Sequence, residues 1–122
     1  PGRGELSAQG IVDDGSRRDR LDAVVGPGAH LIVTAEVFTD LRGHTTSAVR
    51  LVGVGAAPTF DGVLGDPDGT YREWLTDLGA VAVLVRPDFY VYGSAATAGE
   101  ARTLAEEFDR DLRGTPTQSL AT

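Results

Sequence analysis

Residues 80–112 read AVAVLVRPDFYVYGSAATAGEARTLAEEFDRDL, and the rest of the chain is expected to pack around them. The apolar run Ala80–Val85 is typical of a central strand that is covered on both faces. Pro87 has no N–H to donate to a neighbouring strand, so the chain is expected to turn there. Phe89–Tyr92 then alternates as a second strand does, with Phe89 facing the same way as Val91. The pattern predicts an antiparallel hairpin.

A helix is predicted directly after this hairpin. Thr97 and Glu100 have the spacing of a capping box, in which a hydroxyl and a carboxylate satisfy the first backbone N–H groups of a helix. Gly114 and Pro116 are expected to end the helix. Apolar residues recur along one predicted face at helical spacing: Ala101, Leu104, Ala105, Phe108 and Leu112.

The remaining elements are marked less strongly. Thr70 and Glu73 repeat the capping-box spacing, and Gly79 stands where a helix-ending glycine belongs, so a short helix is predicted between them. The other predicted elements are a short edge strand Gln9–Val12, a strand Leu31–Ala35, a helix from about Thr39 to Ala48, and a strand Arg50–Val54.

The order of these elements predicts an α/β fold. From Leu31 onward it is strand, helix, strand, helix, strand, strand, helix, and right-handed crossovers make the first two strands parallel. The expected arrangement is thioredoxin-like, with helices on both faces of a small mixed sheet and an N-terminal extension. We expect a linker at residues 1–10, the domain at 11–113 and a flexible tail at 114–122.

Composition excludes several kinds of chemistry. Eighteen acidic and eleven basic residues give a net charge of −7 without a large basic cluster, which argues against nucleic acid as a partner. The sequence contains no lysine and no cysteine, so lysine Schiff bases, disulfides and thiolate catalysis are excluded. No run approaches the roughly 18 apolar residues that a membrane-spanning helix needs. A soluble, cytoplasmic protein without membrane contact is expected.

Three weak motifs have simpler structural interpretations. Gly53-Val54-Gly55 follows a predicted strand, but Pro58 replaces the third glycine of a dinucleotide-binding loop. Asp66-Pro67-Asp68-Gly69 resembles the start of a calcium loop, yet a turn that feeds a helix cap explains it better. The two histidines, His30 and His44, have neither zinc-site spacing nor a nucleophile motif beside them.

No catalytic, cofactor-binding or metal-binding residue is therefore predicted. Arg86 and Asp88 flank Pro87, and we expect them to fix the turn through a charge-assisted contact, with ligand recognition as the alternative. Tyr90, Tyr92 and Trp74 combine a large apolar area with a polar atom, which suits an interface, although core packing is equally expected for Trp74. These five residues are the candidate interface.

Residues 83–95, VLVRPDFYVYGSA, resemble the C-terminal domain of the FAD-dependent aromatic-ring hydroxylases, the group of phenol hydroxylase and 3-(3-hydroxyphenyl)propionate hydroxylase. The resemblance continues in the same order through most of the chain. It includes GELSAQG at 4–10, RLDAVVGPG at 20–28, DPDGTYREWL at 66–75 and the closing helix.

This resemblance implies a thioredoxin-like domain that lacks redox cysteines and carries no chemistry of its own. The parent protein would be a monooxygenase that uses FAD and NAD(P)H, and the absence of an initial methionine agrees with a piece of a longer chain. The implied partners are the FAD and substrate domains of the parent, with a homo-oligomer possible.

Two other hypotheses remain open. The chain could be a free-standing binding module with a small-molecule pocket near Tyr90, Tyr92 and Trp74, or bind a protein partner. An enzyme would instead need His30 or His44 beside a carboxylate in a cleft.

Overall fold

The computed structural model describes residues 4–43, 48–59 and 61–121, with side chains described as far as residue 112. The strands are β1 Ile11–Asp13, β2 Arg18–Arg20, β3 Ala29–Thr34, β4 Val49–Gly55, β5 Leu64–Gly65, β6 Ala82–Val85 and β7 Val91–Ala95. The helices are α1 Leu21–Val25, α2 Ala35–Leu41, α3 Thr70–Leu78 and α4 Ala98–Ala121.

All seven of these strands form one mixed sheet in the order β2-β1-β5-β4-β3-β6-β7. β3 and β4 are parallel, as predicted, whereas β6 is antiparallel to both β3 and β7. The predicted order of elements is confirmed from β3 to α4, and β5 is an additional short strand. The sheet is larger than expected because β1, β2 and β5 extend it beyond β4.

Helices cover both faces of the sheet, and each face has its own core. The first core lies under α2 and α4, and its large side chains include Leu31, Phe38, Leu41, Leu84 and Phe108. The second core lies under α1 and α3, and its large side chains include Ile32, Val52, Tyr71, Leu75 and Val83. Burial of these apolar side chains is the main force that holds the layers together.

The predicted hairpin is present, but its second strand begins later. Val91–Ala95 pairs antiparallel with β6, and the register shifts between Leu84 and Val85. Phe89 is not in the strand; it lies in the turn with a positive φ of 71°. β6 is an interior strand covered on both faces, as predicted, although only β7 lies beyond it in the sheet. β6 is apolar because it has a strand on each side and a helical layer on each face.

The residues before β1 lie along the edge of this hairpin. The N–H of Gly4 donates to the carbonyl of Val91 at 2.9 Å, and the N–H of Val91 donates to the carbonyl of Glu5 at 2.7 Å. The N–H of Ser7 donates to the carbonyl of Phe89 at 2.7 Å. Part of the segment expected as a linker therefore contributes backbone hydrogen bonds to the sheet.

Two predicted elements in the first half of the chain are displaced. The strand expected at Gln9–Val12 is β1, which starts at Ile11 and lies inside the sheet, where β2 covers its outer side. The helix expected from Thr39 begins earlier because the hydroxyl of Thr34 accepts a hydrogen bond from the N–H of Val37 and caps α2. His44, expected on that helix, lies outside the described residues.

The start of α4 is as predicted. The N–H of Glu100 donates to the hydroxyl of Thr97 at 3.1 Å, and the Glu100 carboxylate accepts from the N–H of Ala96 at 2.9 Å.

The predicted buried face is confirmed from Ala101 to Phe108, but Leu112 is 57% exposed because the helix has passed the edge of the core there. The predicted end at Gly114 is wrong, since α4 continues to Ala121. Glycine and proline lower helix stability without always ending a helix.

Candidate functional site

The turn between β6 and β7 is fixed by two of the candidate interface residues. A guanidinium nitrogen of Arg86 lies 2.6 Å from Asp88 Oδ2, and the N–H of Tyr90 donates to Asp88 Oδ1 at 3.3 Å. The N–H of Arg86 also donates to the carbonyl of Tyr90 at 2.8 Å. Both charged side chains are about half exposed, so the pair contributes at most about 1 kcal/mol to stability. The contact predicted from the sequence is confirmed.

An apolar surface lies beside this turn. Phe89 and Tyr90 are each 41% exposed, and Leu6, which forms an isolated antiparallel bridge with Tyr90, is 63% exposed. We call Leu6, Phe89 and Tyr90 the turn patch. Sequence reasoning missed two of its members, since alternation assigned Phe89 to the same face as buried Val91 and Leu6 lay in an expected linker. The match between GELSAQG and the family was the available signal for Leu6.

Tyr92 lies on β7 and packs against the first core. Its ring makes an edge contact with Phe108 of α4, with the ring centroids 5.1 Å apart. The Tyr92 hydroxyl donates a hydrogen bond to the Asp111 carboxylate. Tyr92 therefore attaches β7 to α4 over the first core.

Trp74 lies on α3, on the other face of the sheet. It packs against the second core and makes an edge contact with Tyr71 at 6.3 Å between ring centroids. The structure thus places Trp74 and Tyr92 in different layers. The three aromatic residues suggested for a ligand pocket do not converge on one cavity.

The turn before α3 is confirmed, but its cap differs from the prediction. Thr70 and Glu73 do not form a capping box, since the N-cap is Gly69 in the left-handed conformation, without a side-chain cap. Buried Asp66 takes that role: its Oδ2 accepts from the N–H of Tyr71 at 3.0 Å and from the N–H of Arg72 at 2.9 Å. Asp66 lies about one helical turn before Thr70, the expected cap. The Thr-x-x-Glu spacing of a capping box therefore did not identify it.

Buried Asp66 also has a charged partner. Arg72 Nε lies 3.4 Å from Asp66 Oδ2, and its guanidinium donates to the Asp66 backbone carbonyl at 2.7 Å. This carboxylate therefore anchors a turn and a helix start, as the structural interpretation of Asp66–Gly69 predicts. Within residues 4–43, 48–59 and 61–121 no group of three or more metal-ligating side chains is positioned to hold a metal.

His30 is buried on β3 and interacts with the backbone. Its Nε2–H donates to the carbonyl of Gly26 at 2.9 Å, which joins β3 to the end of α1. Burial lowers the pKa of His30, an effect that Arg50 reinforces, while the Gly26 carbonyl and Asp22 act in the opposite direction. This hydrogen bond uses a backbone carbonyl, so the geometry gives His30 a structural role.

We expect the stability of the protein to fall as the pH drops below about 6.5, the ordinary pKa of histidine. The folded state lowers the pKa of His30, so the unfolded chain takes up a proton first, with a slope of up to about 1.4 kcal/mol per pH unit. Urea unfolding of the wild type and of His30→Gln between pH 5.5 and 7.5 measures this. The variant should show a smaller slope, whereas equal slopes would contradict the assignment.

The Gly53-Val54-Gly55 motif belongs to a strand and forms no phosphate loop. All three residues lie within β4, next to β3. A Cβ on Gly53 would lie 2.7 Å from Cγ of Phe38, so the glycine allows α2 to approach the sheet. The interpretation against a dinucleotide site is supported by this geometry.

Across the portion of the chain that the structure describes, no helix is both long and apolar enough to cross a membrane.

Solved structures define the fold class. The chain superposes on a thioredoxin-like protein from Bacteroides caccae with a TM-score of 0.53, at 11% identity over 87% of this chain and 49% of that one. It superposes on the C-terminal domain of an uncharacterized Bacteroides fragilis protein with a TM-score of 0.60, at 12% identity over 85% and 96% of the two chains. The predicted thioredoxin-like fold is confirmed.

The chain belongs to the family described as the HcaD C-terminal domain, whose model matches residues 4–111. It is 30% identical over 125 aligned residues to a probable NADH-specific resorcinol 4-hydroxylase of Rhodococcus jostii, with 97% of this chain aligned. A crystal structure of the flavin-dependent monooxygenase PieE with FAD and substrate is 26% identical over 88% of this chain, with a TM-score of 0.59. The resemblance drawn from residues 83–95 is confirmed.

The matched region is a small part of these relatives. The chain spans 24% of the length of the Rhodococcus protein and 19% of the PieE chain. It corresponds to one domain of a longer polypeptide in each of them.

Proposed function

We propose that this chain is the non-catalytic C-terminal accessory domain of a cytoplasmic aromatic hydroxylase that uses FAD and NAD(P)H. Its role is structural, and it contributes to contacts with the other domains or between subunits. The observation that carries this proposal is the family match over residues 4–111. The named activities of the Rhodococcus protein and PieE support the choice of parent enzyme.

The polar groups of the domain support a structural role. Arg86 and Asp88 hold a turn, Asp66 holds the start of α3, and His30 holds the end of α1. The sequence has no cysteine, so the thiol chemistry of a working thioredoxin is impossible. Each of these candidate reactive groups is therefore accounted for by a local contact.

The position of the glycine pair Gly53 and Gly55 indicates where the parent enzyme binds its flavin. Dinucleotide binding commonly uses a glycine-rich turn that leads into the N-terminus of a helix. The glycine pair of this chain, Gly53 and Gly55, lies within β4 instead. We therefore assign FAD and NAD(P)H to the part of the parent that precedes this domain, and propose no direct contact here.

Three forms of the protein test this proposal: the complete gene product, the same protein without this domain, and the 122-residue chain alone. We expect flavin absorbance and phenol-stimulated NAD(P)H oxidation in the complete protein. The shortened protein should keep its flavin but unfold at a lower temperature or change its oligomeric state. The isolated chain should be colourless. Stoichiometric flavin on the isolated chain, or a complete protein without flavin, would contradict the proposal.

The alternative of a free-standing aromatic-ligand module has no comparable support. It requires Tyr90, Tyr92 and Trp74 around one cavity, whereas Trp74 packs on the second core and Tyr92 on the first.

A further inference from the structure

The turn patch concentrates exposed apolar side chains at one end of the sheet. Leu6, Phe89 and Tyr90 belong to adjacent backbone segments, since Leu6 bridges Tyr90 and Ser7 bonds to Phe89. Single exposed apolar residues are common on protein surfaces, but a group of large ones commonly marks a contact site. The patch is therefore a candidate for burial against another protein surface.

The backbone under the patch is held in place by hydrogen bonds. Residues 4–7 bond to residues 89–91 at 2.7–2.9 Å, and the N–H of Phe89 donates to the carbonyl of Arg86 at 2.9 Å. A surface that is ordered in advance loses less conformational entropy when a partner covers it. The patch is thus organised for docking before any partner arrives.

Phe89 has an unfavourable backbone conformation for its type. Its φ of 71° lies in the left-handed region, where glycine or asparagine would be less strained than a bulky side chain. In this strained position the aromatic side chain still leaves 41% of its surface exposed. A contact made by the ring in the complete protein accounts for both features.

The charges next to the patch indicate the chemistry of its partner. Arg86 and Asp88 neutralise each other at the turn, and the chain as a whole carries −7. A charged partner would thus find no unpaired opposite charge in that pair. Apolar area with a tyrosine hydroxyl at its margin suits an apolar or aromatic protein surface.

We propose that the turn patch docks on an apolar surface of the preceding, flavin-carrying part of the same polypeptide. This inference depends on the proposed function, in which the domain follows the rest of the chain. The family match begins at residue 4, and Gly4 bonds to Val91 directly beside the patch, so the preceding chain would arrive there. Because the two surfaces would belong to one polypeptide, their contact is intramolecular, which favours it over a contact with a second copy.

Photo-crosslinking of the complete gene product tests the inference. Benzoylphenylalanine replaces Phe89 in one sample and Leu112, an exposed apolar residue outside the patch, in a matched sample. We expect irradiation at position 89 to link this domain to a peptide from the preceding domains, while position 112 gives at least tenfold less of that product. Crosslinks from position 89 only to a second copy, or none at all, would overturn the inference.

A matched pair of substitutions gives a second measurement. Leu6→Ser should increase the rate at which a protease separates this domain from the complete protein by about tenfold, because it removes an apolar side chain that the docked contact would bury. Leu112→Ser should leave the rate unchanged. Equal rates for the two variants would contradict docking through Leu6. If the complete protein contains flavin but the crosslinking or the protease comparison gives the negative result, only the proposed docking surface is wrong. If the complete protein contains no flavin, the proposed function is wrong as well.

Discussion

Replacement of Gly53 by alanine is expected to destabilise the domain by about 3 kcal/mol, the upper end of the usual cost of overpacking a core. The added Cβ would lie 2.7 Å from Cγ and 2.8 Å from Cβ of Phe38. These atoms lie close to the backbone of α2, so the ring cannot turn away without moving the helix. Urea unfolding at neutral pH measures the loss.

The chain offers a matched control for this substitution. Gly99 lies in the first turn of α4, where an added Cβ has no neighbour nearer than 4.0 Å. Gly99→Ala should therefore stabilise the protein, by up to about 1 kcal/mol. In a double-mutant cycle, Phe38→Leu should offset part of the cost of Gly53→Ala. Additive effects of Gly53→Ala and Phe38→Leu would show that the predicted clash is absent.

Asp66→Ala is expected to cost about 3–4 kcal/mol of folding free energy. The substitution leaves the N–H groups of Tyr71 and Arg72 without their acceptor, and it also removes the partner of the Arg72 guanidinium. Loss of a helix cap alone costs about 0.5–2 kcal/mol, and loss of one partner of a buried ion pair costs about 3–5. The combined effect falls below the sum because Arg72 is partly exposed.

Two further variants separate the cap from the charge. Asp66→Asn keeps one acceptor but places an amide nitrogen where Oδ1 has no hydrogen-bond partner among the described residues, so about half of the loss should remain. Asp68 lies in the same turn with an exposed side chain, and Asp68→Ala should change stability by less than about 0.5 kcal/mol. Thermal and urea unfolding should show the largest loss of stability for Asp66→Ala, a smaller loss for Asp66→Asn and the smallest for Asp68→Ala. An equal effect at both positions would show that Asp66 acts only as a turn residue.

The sequence predicted the elements whose signals are local. The Thr97–Glu100 capping box, the apolar run in β6 and the glycine after α3 each depend on neighbouring residues, and each is confirmed. The fold followed from the order of these elements. The start of α2 was missed because the hydroxyl of Thr34, at the end of a strand, caps the helix.

The candidate site was less predictable because it is formed by contacts distant in sequence. Leu6 and Tyr90 become neighbours only when residues 4–7 pair with the hairpin. The exposure of Phe89 depends on a positive φ in the turn, which strict alternation does not anticipate. Asp66 is a comparable case, since its carboxylate bonds to residues five and six positions away.

The hydrogen bonds between residues 4–7 and 89–91 bear on the choice of boundaries for recombinant expression. β7 is the last strand of the sheet, and an uncovered edge strand can recruit strands from other molecules. A fragment beginning at Gly10 would keep the fully buried residues of both cores and lose only Ala8 from the margin of the second, yet it would uncover the backbone groups of Phe89 and Val91. Such a fragment should fold but self-associate, because the segment that shields this edge from aggregation has been removed.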